Sequence, residues 1–157
     1  MLSAQARAEI DRNIAKYPAE QKQSAVMAAL VVAQDHYGWV TPESIEELAQ
    51  ILEMPPIAIQ EVATFYNMYD TKPVGKFKLA VCTNLPCELS GGTRAGEYLK
   101  KKLGIGYNET TPCGTFTLKE GECMGCCGGA PLMHINNTEM HEFLTTEKVD
   151  EILKGLK

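Results

Sequence analysis

Six cysteines are the residues of this sequence best suited to chemistry. Cys82-Thr-Asn-Leu-Pro-Cys87 forms a C-x4-C pair, and after 35 intervening residues Cys123-Met-Gly-Cys126-Cys127 offers either C-x2-C or C-x3-C. Thiolate sulfur binds both cluster iron and zinc. Two pairs of thiolates satisfy either an all-cysteine [2Fe-2S] cluster, with two ligands per iron, or a tetrahedral four-cysteine zinc site. On spacing alone the two metals stand nearly level, and the x4 interval, which [2Fe-2S] sites also use, favours iron–sulfur modestly. A centre with two histidine ligands is disfavoured, because none of His36, His134 and His141 lies at ligand spacing beside a cysteine. A redox dithiol at Cys123 and Cys126 would leave Cys82 and Cys87 without a role. Cys113 stands apart and reads as a small buried hydrophobe.

The elements around these pairs fall into two segments. The turn composition of Asp70-Thr71-Lys72-Pro73-Val74-Gly75 marks a boundary between residues 1–72, which are helical in pattern and lack cysteine, and residues 73–157, which hold all six. The first segment predicts four short helices. Leu2–Tyr17 has Ser3 as N-cap, and Ala19–His36 places Val26, Leu30 and Ala33 on one face before Gly38 stops it. A third helix is capped by Thr41 with Pro42 at its first position, and buries Ile45, Leu48, Ile51 and Leu52. A fourth opens at Pro55-Pro56 and carries Ile57, Val62 and Phe65. Short connections make this a compact bundle. Phe65, Tyr66 and Tyr69 read as core more than as an interface.

In the second segment Phe77–Val81 predicts a strand that ends at Cys82. A helix runs from about Thr93 to Leu103, with Gly91-Gly92 as a flexible approach to it. Phe116–Leu118 predicts a second strand. Pro131–Ile135 and Met140–Phe143 flank a turn at Asn136-Asn137-Thr138-Glu139, and Thr146 caps a last helix. The order β-α-β-β-β-α permits a parallel crossover pair followed by a hairpin, which a thioredoxin-like α/β layer satisfies. Each cysteine pair follows a strand. Two loops at the same end of a sheet can meet, so four thiolates can share one site. Gly125, Gly128 and Gly129 allow backbone N–H groups to approach the sulfurs.

Composition narrows the function. The 157 residues carry a net charge of −5 with no basic stripe, which argues against nucleic acid as a partner. The N-terminus lacks an apolar signal core, and no run approaches the roughly 18–20 apolar residues of a membrane span. A cytoplasmic protein is expected, and in a reducing compartment clustered cysteines point to metal more than to disulfides. There is no G-x-G-x-x-G fingerprint after a strand and no Ser/His/Asp set or carboxylate pair, so no residue is assigned to bond-making.

Cys82 to Cys87, followed by Glu122-Cys-Met-Gly-Cys-Cys-Gly-Gly-Ala-Pro131, resembles the small thioredoxin-like [2Fe-2S] subunit of NADH:quinone oxidoreductase, respiratory complex I. Glu61-Val-Ala-Thr-Phe-Tyr-Asn-Met-Tyr69 looks like the same family, as does Tyr17-Pro18 with the helix that ends near Tyr37-Gly38-Trp39. The likeness runs from about residue 10 to the C-terminus. It implies an α+β chain: an N-terminal helical bundle followed by a thioredoxin-like α/β [2Fe-2S] ferredoxin domain. It implies one [2Fe-2S] cluster on Cys82, Cys87, Cys123 and Cys127, and a non-catalytic electron-transfer role. It also implies a flavoprotein partner subunit that binds FMN and NADH, and a membrane reached only through the assembled complex. Cys126 departs from the family pattern, which has a small non-ligand residue there. The equivalent diaphorase subunit of an NAD-linked hydrogenase or formate dehydrogenase shares these motifs. A zinc-binding adaptor is the third reading.

Overall fold

Short polar caps set the limits of the first helices. Ser3 accepts the Ala6 N–H at 3.2 Å and starts α1, Ala4–Ile14. The stretch expected as one helix from Ala19 to His36 divides in two. A 3-10 segment, Ala19–Ala25, departs from helical geometry at Gln21, and α2, Val26–Tyr37, follows it. The division begins at Pro18, whose carbonyl accepts the Gln21 N–H at 2.8 Å and closes a turn. Gly38 ends α2 in the left-handed region at φ 82°. Thr41 accepts the Ser44 N–H at 3.0 Å and starts α3, Pro42–Leu52; α4 is Pro56–Phe65. The computed structural model describes residues 1–156, so Lys157, the last residue of the expected second segment, lies outside the described residues.

The chain divides into two compact units, one spanning Met1–Pro73 and the other beginning at Val74. In the first, Ile10, Leu30, Leu48, Leu52 and Ile59 are fully buried. Each such side chain contributes about 1.5–3 kcal/mol of burial. The expected face of α4 is corrected. Ile57 and Phe65 are 66% and 80% exposed, while Ile59 and Ala63 are buried. This helix is apolar on more than one side, so its periodicity leaves the inward face undecided, and packing on α2 and α3 decides it. The aromatic group divides likewise. Tyr69 is buried and its hydroxyl donates to the Met27 carbonyl at 2.9 Å, whereas Phe65 and Tyr66 lie at the surface.

The second unit is a mixed five-stranded sheet with helices. Its elements are β1 (Phe77–Cys82), α5 (Leu85–Leu89), α6 (Gly92–Leu103), β2 (Glu109–Thr110), β3 (Phe116–Gly121), β4 (Met133–Ile135), β5 (Glu139–His141) and α7 (Thr146–Gly155). The strand order is β2-β3-β1-β4-β5. Among the described residues only the β1–β3 pair is parallel, with Phe77 opposite Phe116 and Cys82 opposite Gly121. Leu79, Val81, Leu99, Leu118, Met133 and Val149 form its core. Asn136 and Asn137, with φ of 51° and 60°, make the β4–β5 turn, a conformation that asparagine tolerates. The last helix is capped by Thr145, which accepts the Lys148 N–H at 3.2 Å, one residue before the position expected. Two short elements, α5 and β2, add to those read from the sequence. Among the described residues no helix is long and apolar enough to cross a membrane.

Candidate metal centre

Parallel pairing of β1 with β3 has a direct consequence for the cysteines. Both strands point the same way and end level, at Cys82 and Gly121, so the loops that leave them emerge at one end of the sheet. Cys82 closes β1. Its N–H donates to the Leu132 carbonyl at 3.0 Å, and its Sγ lies 3.7 Å from the Glu122 carbonyl of the second loop. Cys87 sits in α5, a single helical turn with Pro86 near its start. Thr83 N–H donates to the Gly121 carbonyl at 3.0 Å and joins the two loops again.

Cys82 and Cys87 are buried, at 3% and 2% exposure, and pack against Leu132, with Met124, Cys126 and Ala130 partly covering them. Burial pushes the Cys87 thiol up to about 11, helped by its hydrogen bond to Cys82 and the negative charge of Cys82 and Cys127; the Leu132 backbone N–H pulls the other way. Cys82 and Cys87 are therefore brought into one buried cluster. Cys123 and Cys127 are exposed. Among the described residues no three His, Cys, Asp or Glu side chains stand close enough together to hold a metal ion. Metal binding itself supplies much of the energy that gathers the donors of a metal site.

The residues fit an iron–sulfur group on donor chemistry. The donors are cysteines carried by two loops at one sheet end, while His134 and His141 lie within β4 and β5. The backbones of the two buried cysteines close on Gly92, where a Cβ would stand 2.6 Å from the Cys82 carbonyl oxygen and 3.0 Å from the Cys87 carbonyl carbon. By sequence alone this glycine reads only as a flexible approach to a helix. The structure makes it the seat on which both buried cysteines rest, and no local signal distinguishes the two cases.

Cys126 is engaged elsewhere. Its Sγ donates to Glu142 Oε1 at 2.8 Å, and that carboxylate, with burial, raises its pKa. Nothing in the sequence singles out Glu142, since its partner lies 16 residues away across the β4–β5 hairpin.

Cys113 departs from the buried position expected of it. It is exposed in the tight turn between β2 and β3, closed by Gly114 N–H on the Thr111 carbonyl at 2.8 Å. The Thr111 and Thr115 hydroxyls lie 3.4 and 3.1 Å from its sulfur and lower its pKa to about 7. A lowered thiol pKa means thiolate above that pH. Iodoacetamide is accordingly expected to modify Cys113 of the iron-loaded chain before Cys126, at a rate that climbs through pH of about 7. Peptide mapping by mass spectrometry checks this, and slower labelling of Cys113 than of Cys126 contradicts it.

The comparisons with known proteins agree with this chemistry. The model of the family described as thioredoxin-like [2Fe-2S] ferredoxin matches residues 10–157. NADH-quinone oxidoreductase subunit 2 of Thermus thermophilus is 38% identical over 148 residues, covering 94% of this chain and 82% of that protein. An NADH-quinone oxidoreductase subunit of Rickettsia felis is 44% identical over 141 residues, covering 89% and 84%. Among solved structures, an NAD+-reducing [NiFe]-hydrogenase in the air-oxidized state superposes with a TM-score of 0.73 at 19% identity, a likeness of fold that covers 83% of this chain and 22% of that one. With two thiol-bearing loops at one end of a mixed sheet, and relatives that match it over most of their length, the chain belongs to the thioredoxin-like [2Fe-2S] ferredoxin family.

Proposed function

We propose that this chain is the [2Fe-2S] electron-transfer subunit of an NADH:quinone oxidoreductase, with Cys82, Cys87, Cys123 and Cys127 as the cluster ligands. The observation that carries the reading is the 38–44% identity to subunits of that enzyme over about nine-tenths of the chain, and the parallel β1–β3 pair, whose strands end level at Cys82 and Gly121, supports it. The helical domain 1–72 and the cluster domain 73–157 are taken as separate folding units.

A cluster of this kind accepts and passes on one electron at a time, and the protein sets its potential through burial and hydrogen bonds to the sulfurs. Here Cys82 and Cys87 provide a buried pair, with the Leu132 N–H directed at Cys87. Cys123 and Cys127 are exposed, and on this reading they would hold the second iron on the side open to a partner. The partner proposed is the subunit that binds FMN and NADH, so that hydride chemistry occurs there and single electrons pass here. Leu85 and Leu89, 67% and 81% exposed on either side of Cys87, offer an apolar rim for that contact. Attachment to the membrane is then indirect, through the complex, on its cytoplasmic side.

A diaphorase subunit of an NAD-linked hydrogenase is the second reading, favoured by the shared fold of the hydrogenase structure. The test is to purify the chain with whatever binds it, count iron and zinc, and record EPR after reduction. About two irons per chain and a [2Fe-2S] signal are expected, with NADH reducing the cluster only when the flavoprotein is present. A colourless chain with stoichiometric zinc overturns the proposal, and a co-purifying hydrogenase large subunit moves it to the second reading.

A further inference from the structure

The second cysteine loop carries two adjacent thiols, and something must decide which one enters the site. One hydrogen bond holds Cys126, and the partner that makes it is itself fixed in place. The Cys126 Sγ is held 2.8 Å from Glu142 Oε1. The Glu142 side chain lies in the space left open by Gly129, where a Cβ would come within 2.5–2.8 Å of three of its carbons. The backbone beside it is fastened to the same loop: Phe143 N–H donates to the Gly129 carbonyl at 2.7 Å and Leu144 N–H to the Pro131 carbonyl at 2.8 Å. Lys148 Nζ donates to the Glu142 carbonyl at 2.6 Å and fixes the carboxylate's own backbone. Phe143 adopts φ of 48°, a left-handed conformation uncommon for a bulky residue, as the chain turns to make these bonds.

We propose that Glu142 is a positioning residue that holds Cys126 off the cluster, so that Cys127 alone supplies the fourth ligand. This rests on the cluster reading given above. Cys126 packs beside Cys82, Cys87 and Leu132, so proximity does not bar it from ligation; what distinguishes it is that its thiol hydrogen is committed to Glu142. A sulfur anchored to a carboxylate that is itself wedged over Gly129 is not free to compete. Without that anchor, both thiols lie within reach of the same iron.

The test compares wild type, Glu142→Ala, Glu142→Gln, Cys126→Ser and the Glu142→Ala/Cys126→Ser double variant, each as the purified iron-loaded chain. EPR of the reduced wild type and of Cys126→Ser shows one and the same species. Glu142→Ala shows a second species from ligation by Cys126, and the double variant returns to one. Glu142→Gln, which keeps an oxygen acceptor and the bulk over Gly129, keeps the single species. If Glu142→Ala loses the cluster outright, recovery in the double variant supports the proposal. Failure to recover makes Glu142 merely structural and overturns it. A Glu142→Ala spectrum identical to wild type also overturns it. A readout that does not depend on the cluster separates this inference from the function on which it rests. After chelation of iron, Cys126 is alkylated about tenfold faster in Glu142→Ala than in wild type, the factor expected for loss of one charge-assisted hydrogen bond. Equal rates sink the inference even if the cluster is present. A faster rate sustains it even if wild type proves to hold zinc.

Discussion

Replacing Cys87 by serine is expected to take the iron content from about two atoms per chain to near zero and to abolish the visible absorption and the EPR signal. The serine hydroxyl is a hard oxygen donor that stays protonated at neutral pH, whereas cluster iron needs thiolate sulfur. The position offers no substitute. Cys87 is 2% exposed and packed against Cys82 and Leu132, so water cannot fill the ligand site easily. Cys82→Ser has the same outcome. Cys127→Ser removes the signal while Cys126→Ser leaves it intact, and the reverse pattern overturns the assignment of the fourth ligand. Iron analysis with EPR on the four variants decides the matter, and secondary-structure content by circular dichroism separates ligand loss from unfolding.

The second large effect comes from a residue with no donor atoms. Gly92→Ala places a methyl group 2.6 Å from the Cys82 carbonyl oxygen and 3.0 Å from the carbonyl of Cys87. Both obstacles are backbone, and backbone cannot rotate aside as a side chain does. Overpacking of this kind typically costs about 1–3 kcal/mol. Alanine's better helix propensity returns about 1 kcal/mol at most. Because the strain falls on the segments that carry the ligands, iron retention during gel filtration falls together with the urea midpoint. Gly155→Ala is the control. It lies at the end of α7 with nothing within 4 Å of the added atom, and is expected to be neutral or slightly stabilising. Equal stability of the two variants contradicts the steric account.

Much of this was readable in the chain because it is encoded locally. Ser3 and Thr41 cap their helices where their hydroxyls say they should, Pro42 sits in a first turn, and Asn136-Asn137 forms the hairpin turn. The two cysteine pairs are local motifs, and the strand–helix–strand pattern between them carries the parallel crossover. What escaped the sequence is decided between elements or at very short range. The inward face of α4 depends on its neighbours, because Ile57, Ile59, Val62 and Phe65 offer more than one apolar side. The five-residue helix α5 is too short to show a period. Cys113 looks like a core residue by type and is exposed because a tight turn carries it outward. Glu142 and Gly92 act on the cysteines through space, and nothing in their own neighbourhoods announces it.

The parallel β1–β3 pair also orders events in time. A parallel pair cannot close as a hairpin, and it forms only after the intervening crossover has been laid across the sheet. Until then the first and second cysteine pairs belong to distant parts of a flexible chain. If the four proposed ligands hold the cluster, the sheet must be largely assembled before their sulfurs can address one metal site, so that folding would precede cofactor loading. A donor of iron and sulfide would then meet a folded domain in which Cys123 and Cys127 are open to solvent while Cys82 and Cys87 are buried.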